Sequence, residues 1–350
     1  MRILHVVASL DPNKGGPPLV ATRLSSAQAS AGHEVHLAYQ HDANAQQRID
    51  TAYQNIPGVA GVTMHPLSGW GFGGLTGAIA RPLAKLMPNI DFVHIHGVWE
   101  SLLRSTARMA HRHKVPYAIR PAGMLEPWSL AQKQLKKRIA LMAAYRAMLG
   151  RAAFIHTLND DERDLTRELG IPTPLEVFPN GIFFEEIEPL SPPGSFRATM
   201  PALGDAPFVL FLARLHYKEG LDILAGAFDL LSKQRPDVHL VVVGPDGGAR
   251  GDFEKRIGRA GLENRTHVLD GLYGRAKFDA MADAACFCLP SRQEGFSVAI
   301  LEALASGAPV VCTDACHFPE IEQNGAGKIV ALNEASVAEG LASVLVDPAG

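Results

Sequence analysis

Apolar and polar positions along this chain switch repeatedly between two periods. Short β-branched or alternating runs, "RILHVVA", "EVHLAY", "DFVHIHG", "PYAIR", "AFIHTL" and "PLEVFP", read as strands. Helical patterns over 18–31, 102–113 and 130–149 separate most of them. A second series follows, with "FVLFLAR", "VHLVVVG", "THVLD", "CFCLP" and "PVVCT" as strands. These alternate with helical patterns over 221–232, 253–260, 276–282 and 298–305. Strands that alternate regularly with helices predict parallel sheets covered on both faces. Between the two series lies "PNGIFFEEIEPLSPPGSF", rich in proline and acidic residues, a linker composition. The pattern predicts an α/β protein of two parallel-sheet domains, 1–185 and 186–350. Such sheets bind ligands at the carboxyl ends of their strands, so the expected site is an interdomain cleft.

Composition changes this picture little. The chain has 350 residues, is 47% apolar and 20% charged, and has a net charge of -3. That balance gives no reason to expect nucleic acid as a partner. No window reaches the ~18 apolar residues of a membrane span. The start, "MRILHVVASLDPNKGGPP", runs from a strand-length apolar stretch into a Gly-Pro loop without a small-residue cleavage site. A cytoplasmic protein is expected. Cys286, Cys288, Cys312 and Cys316 match no usual paired zinc-ligand spacing and read as buried, reduced thiols.

Candidate chemistry sits just after strands. In "SRQEGFSVAILEALASGAPVV", Glu294 falls in a loop and Glu302 inside the helix that follows, with Ser297 as N-cap and Gly307 at the C-terminal end. Glycosidase carboxyl pairs lie about 5 Å or about 6.5–9.5 Å apart. Eight helical residues rise about 12 Å, which makes this a poor hydrolase pair. The spacing suits two parts of one long ligand better, with Gly295, Phe296 and Ser297 at a helix N-terminus that favours phosphate. In "ARLHYKEGLDIL", Arg214 ends a strand and Lys218 lies in the next loop, a pair suited to a diphosphate that no metal neutralises. Taken alone, such strand-end cations are common. In "DPNKGGPPLV", Gly15 and Gly16 allow close backbone approach, although the loop is not the Gly-x-Gly-x-x-Gly dinucleotide fingerprint. In "DFVHIHGVW", His94 and His96 share a strand face. A metal pair would lack an evident third ligand, so His94 reads as a core histidine and His96, at the carboxyl end, as the cleft-facing group.

Together these motifs resemble the retaining nucleotide-sugar glycosyltransferases of family 4, which implies the α/β GT-B fold of two facing Rossmann-like, doubly wound parallel-sheet domains. The specific part is Glu-x7-Glu, supported by the Gly-Gly loop, "HIHG", "FPNG" and the Arg-Leu loop. The resemblance implies a UDP- or GDP-sugar donor, no cofactor and no bound metal. It places Gly16, beside Gly15, on the donor phosphate and His96 near the reacting centre. Glu294 would hold the sugar, Glu302 the ribose, and Arg214 with Lys218 the diphosphate. Main chain near Leu272 would meet the base. Two positions depart from the family pattern, since Glu219 stands where a lysine is usual and Ala213 where a glycine is. The family also continues through a final helix that crosses back onto the first domain, which a chain ending at Gly350 would lack.

The sequence has no Asp-x-Asp triplet, so cations and a helix N-terminus would stabilise the leaving diphosphate. The mechanism this implies is a front-face displacement in which that diphosphate takes the acceptor's proton. A glycan or lipid-linked acceptor is expected on the first domain, with Arg120 and Trp128 as contacts. Lys133, Lys136, Lys137 and Arg138 would form a basic helix suited to the inner membrane surface, or an ordinary solvated face. Two other classes fit the same donor grip: a nucleotide-sugar epimerase and a non-catalytic nucleotide-sugar-binding scaffold. A phosphorylase does not fit, because no segment matches a pyridoxal-phosphate lysine site.

Overall fold

The computed structural model describes residues 1–68, 77–132 and 145–345. The chain divides into two compact units, Met1–Phe183 and Phe184–Gly350. Among the described residues the first unit carries a seven-stranded sheet in the order β3-β2-β1-β4-β5-β6-β7. Its strands are β1 Arg2–Val7, β2 Glu34–Gln40, β3 Val62–Leu67, β4 Phe92–His96, β5 Tyr117–Arg120, β6 Phe154–Thr157 and β7 Leu175–Val177. All of their pairings are parallel. β3 carries no strand pattern in the sequence. Its sequence, "VTMHPL", carries Pro66 and is buried only at its two ends. It lies at the sheet edge, where a proline removes no needed ladder donor.

The second unit carries six parallel strands in the order β10-β9-β8-β11-β12-β13. They are β8 Phe208–Leu212, β9 His239–Val243, β10 Thr266–Leu269, β11 Cys286–Leu289, β12 Val310–Thr313 and β13 Gly327–Val330. Here too the unforeseen strand, β13, is an edge strand, half-buried over much of its length. The central strands β8 and β11 are nearly continuous apolar runs because both faces are covered. Phe208, Phe211 and Phe287 are fully buried, each contributing about 1.5–3 kcal/mol of transfer free energy.

Strand order fixes where a ligand can sit in each unit. In the first sheet the chain moves outward from β1 to β3, then restarts on β1's other side with β4. In the second it restarts on the other side of β8 with β11. At such switch points the loops leaving adjacent strands diverge and open a crevice above their carboxyl ends. The helix expected over 130–149 appears as Pro127–Ala131 and Arg146–Gly150 at its two ends. Lys133, Lys136, Lys137 and Arg138 lie outside the described residues. No helix among the described residues is long and apolar enough to cross a membrane.

Candidate functional site

In the second unit the switch point brings the loop after β8 against the loop after β11. The first loop makes a single 3-10 turn, Tyr217–Glu219, and ends at Gly220 with φ 77°. A Cβ at that position would lie 1.9 Å from the carbonyl oxygen of Pro290, so only glycine permits the approach. Arg292 fastens the two loops. Its backbone N–H donates to Lys218 O at 2.8 Å, and its guanidinium donates to Tyr217 O at 2.8 Å. The same guanidinium holds Asp222 through two bonds of 2.8 and 2.7 Å and lies 3.8 Å from the Tyr217 ring centroid. Burial pushes the Asp222 carboxyl up, but Arg292 outweighs it and the net shift is downward. Pattern reading had not singled out Arg292.

The expected diphosphate cations lie here, each already facing a carboxylate. Lys218 Nζ is 3.2 Å from Glu294 Oε1, an oxygen that also accepts from Ser291 Oγ at 3.0 Å. Arg214 Nη2 donates to Glu219 Oε1 at 3.0 Å. Glu219 is buried, which pushes its carboxyl up; Lys218 and Arg214 pull it down, Glu294 pushes it up, and the net shift is upward. The departure noted in the sequence therefore has a structural expression. The side chain at 219 is an interior carboxylate on Arg214, not a second cation.

Glu294 N donates to Ala315 O at 2.9 Å, and Phe296 packs on Phe318 with ring centroids 4.4 Å apart. Ser297 caps the helix Val298–Ala305 by accepting from Ile300 N at 3.4 Å. Gly307 takes the left-handed conformation at the other end, φ 82°. Glu302 is buried, with Lys277 Nζ 2.6 Å from its Oε1. Expecting Glu302 alone to receive a ribose omitted this lysine, which comes from the helix Arg275–Asp283. Leu272 lies half-buried in the loop between β10 and that helix. All four cysteines are free and buried, and burial pushes the Cys286 thiol to about 12.

In the first unit the switch point lies between β1 and β4. Gly15, φ 94°, caps the helix that begins at Gly16. Asp11 holds this loop by accepting from Asn13 N at 3.1 Å and from Arg48 Nη2 at 3.1 Å. His96 ends β4, but it is interior and belongs to a stack. His5 Nδ1 lies 3.0 Å from His96 Nε2, and His5 Nε2 lies 2.7 Å from Gln28 Oε1. His94 Nε2 lies 3.2 Å from His156 Nδ1, and His156 Nε2 donates to Phe178 O at 2.7 Å. Burial holds His5 and His156 at about 4 and keeps His94 and His96 well below the usual range; His94 and His5 depress His96 further, as His5 and His156 do His94. His5 supplies the third imidazole that the sequence did not reveal, with ligand atoms of His5, His94 and His96 within 4.8 Å of one another. Because N–H···N bonds already join these rings, the cluster reads as a hydrogen-bonded stack of neutral histidines.

Arg120 ends β5 fully buried and donates to Asn180 Oδ1 at 2.6 Å. Burial lowers its pKa to about 10, against a raising effect from Glu162. The expected acceptor contact is therefore an interior cation rather than a surface one. Glu162 anchors the loop that follows, accepting from Gly123 N at 2.6 Å and Leu158 N at 2.7 Å. Trp128 is half-buried at the start of the helix Pro127–Ala131.

Two family models match this chain. One, described as glycosyl transferases group 1, matches residues 196–349, and the other, a glycosyl transferase 4-like domain, matches 15–181. The chain belongs to the group 1 glycosyltransferases. Among relatives of this family, the gpi3 subunit of phosphatidylinositol N-acetylglucosaminyltransferase from Schizosaccharomyces pombe is 25% identical over 186 residues, covering 53% of this chain and 39% of that protein. The chain thus spans well under two thirds of that relative's length. A GDP-mannose:cellobiosyl-diphosphopolyprenol alpha-mannosyltransferase from Xanthomonas oryzae is 22% identical over 341 residues, 94% of this chain and 83% of that one. The solved structure of Anabaena HepE in complex with UDP-glucose superposes with a TM-score of 0.79 at 19% identity, covering 99% of this chain and 90% of that chain. The fold is GT-B.

Proposed function

We propose that this group 1 glycosyltransferase moves a hexosyl unit from a UDP- or GDP-sugar to a glycan or lipid-linked acceptor, with retention and without a metal ion. One observation supports the reading above all. Arg214 and Lys218 leave β8 at the switch point where Glu294 leads into the capped helix Val298–Ala305, with Lys218 3.2 Å from Glu294. Two cations and a helix N-terminus form a grip for an anion that is itself charged along its length. On this reading Glu302, with Lys277 beside it, takes the ribose. The main chain near Leu272 takes the base. Gly295, Phe296 and Ser297 serve the phosphates. His96, Gly15 and Gly16 serve the transferred sugar and its phosphate, and Glu294 holds the sugar hydroxyls. As the sugar–phosphate bond breaks, the electron pair goes to the diphosphate, which takes the acceptor's proton, so no protein nucleophile is required.

The name of the Xanthomonas relative and the ligand of HepE support the choice between guanosine and uridine donors. The test is a thermal-shift series with UDP, GDP and ADP and their sugars, followed by transfer assays with the ligand that stabilises most. A ligand at 100 times Kd stabilises by about 2.7 kcal/mol. Glu302→Ala should lose donor affinity and His96→Ala should chiefly lose turnover. Full transfer rates in both variants would refute the assignment. The Glu219 carboxylate on Arg214 favours a second reading, a scaffold that binds nucleotide sugars without turning them over. That protein would be stabilised by a diphosphate and never consume a donor.

A further inference from the structure

The stack in the first unit fixes more than the position of His96. Gln28 leans from the helix Gly16–Ser30 so that its Oε1 lies 2.7 Å from His5 Nε2. A carbonyl oxygen accepts only, so His5 Nε2 carries the proton. His5 is neutral, so its Nδ1 is bare and must accept from His96 Nε2, 3.0 Å away. His96 is neutral for the same reason of burial, which leaves its Nδ1 without a proton. That atom is buried and has no hydrogen-bond partner among the described residues. The neighbouring pair runs by the same logic from an unambiguous acceptor: Phe178 O fixes the proton on His156 Nε2, and His156 Nδ1 then accepts from His94 Nε2. Reversing the Gln28 amide would reverse its relay and leave a buried N–H orphaned at His96. Orphaned buried N–H groups are rarer than under-satisfied acceptors.

We propose that Gln28 and His5 are positioning residues that hold His96 with its proton on Nε2, so that Nδ1 offers a lone pair to a hydroxyl-bearing ligand. This rests on the reading of His96 as a contact to the transferred sugar, and it deepens that reading. His96 accepts a hydrogen bond from a sugar hydroxyl and is not a general acid. The hydroxyl supplies Nδ1 with a partner that no described residue gives it.

The first measurement needs no donor. In the histidine-selectively 15N-labelled chain at neutral pH, long-range 1H–15N spectra report which ring nitrogen of each histidine is protonated, and His96→Asn assigns the signal. The proton is expected on Nε2 of both His5 and His96. Gln28→Met keeps the side-chain length, removes the acceptor, and should turn the His96 signal into a tautomer mixture. A proton on Nδ1 of His96, a doubly protonated ring, or an unchanged spectrum in Gln28→Met would overturn the proposal. If Gln28→Met fails to fold, the wild-type spectrum alone decides. The second measurement uses UDP-glucose and GDP-mannose turnover. Gln28→Met should lower kcat about tenfold, the scale of one lost hydrogen bond, with KM for the donor unchanged. A rise confined to KM, with kcat unchanged, would also overturn it. The two readings separate cleanly. An Nε2 proton in a chain that binds no nucleotide sugar would defeat the functional reading alone, and a bound nucleotide sugar with an Nδ1 proton would defeat the relay alone.

Discussion

Replacing Glu219 by glutamine removes one negative charge beside Arg214 while keeping an oxygen that can accept from Nη2. In the proposed complex the diphosphate meets the same guanidinium that Glu219 Oε1 already holds at 3.0 Å. A phosphate oxygen on the other edge of that group would lie roughly 6 Å from the carboxylate, about twice the bond length. Two unit charges at ~6 Å repel by ~3 kcal/mol at an effective dielectric of ~20. The Arg214 side chain is 35% exposed, and solvent on that side reduces the figure to roughly 1.4 kcal/mol, about tenfold in Kd. Glu219→Gln should therefore bind UDP or GDP about tenfold more tightly than the wild type. The effect should carry a pH signature. Burial pushes the Glu219 carboxyl up, and a proton on it acts as the amide does, so wild-type affinity should rise as pH falls through that raised pKa. The gap to the variant then closes in acid. For stability the sign is equally definite: folding holds this proton more tightly than the unfolded chain does. The contribution is complete below the ordinary glutamate pKa and lost as pH rises through the folded one. Isothermal titration of both proteins with UDP and with GDP, at low salt and from acid to neutral pH, measures all of this. Equal or weaker binding by Glu219→Gln at neutral pH would refute the electrostatic argument and recast Glu219 as a brace that Arg214 needs in its charged form.

Three further outcomes follow from the same geometry. Glu302→Leu strips Lys277 of its 2.6 Å partner and should cost about 3 kcal/mol in denaturant unfolding. Lys277→Met with Glu302→Leu should recover most of that stability while nucleotide binding stays lost; recovery of both would make the pair purely structural. Arg292→Ala removes the Asp222 pair and the Tyr217 stack, so donor KM should rise while the protein stays folded, and an unchanged KM would sink its role as a fastener. Burial holds His5 at about 4, against an unfolded value near 6.5. The unfolded chain therefore binds its proton first, and stability should fall by about 3 kcal/mol as pH drops from ~6.5 to ~4. His5→Gln should flatten that part of the stability–pH curve, and an unaltered curve would contradict the burial.

The residues legible in the sequence were those whose position along an element announces them. A strand followed by glycines, a serine at a helix start and an arginine at a strand end are local patterns, and the structure has them where the patterns place them. Gly15, Arg214 and Ser297 all lie at strand carboxyl ends or at a helix cap. The strands that escaped, β3 and β13, are edge strands. With one side unpaired they need no continuous apolar run, and the run was the signal used. The partners that escaped are non-local. Lys277 reaches Glu302 across 25 residues, Arg292 reaches Asp222 across 70, and His5 reaches His96 across 91. No spacing rule links such pairs, because the sheet order that brings them together is a tertiary outcome. His5 did leave one trace, as a lone imidazole in the buried strand "RILHVV", where an unpartnered polar group would cost 1–3 kcal/mol.

That trace generalises within this molecule. Each charged or polar side chain singled out as a ligand contact is met, in the folded chain, by a group of the protein: Lys218 by Glu294, Arg214 by Glu219, Glu302 by Lys277, His96 by His5. Buried charges left alone would shift their protonation or unfold the site, so the charged groups are paired before a ligand arrives. In the proposed complex a diphosphate would exchange partners with Lys218 and Arg214 rather than neutralise bare cations. The net gain is the difference between two ion pairs, and it shrinks with the strength of the pair already present. On that reading Glu219 opposes the diphosphate on Arg214. Of the side chains named at the β8–β11 switch point, it is the one whose removal should strengthen binding.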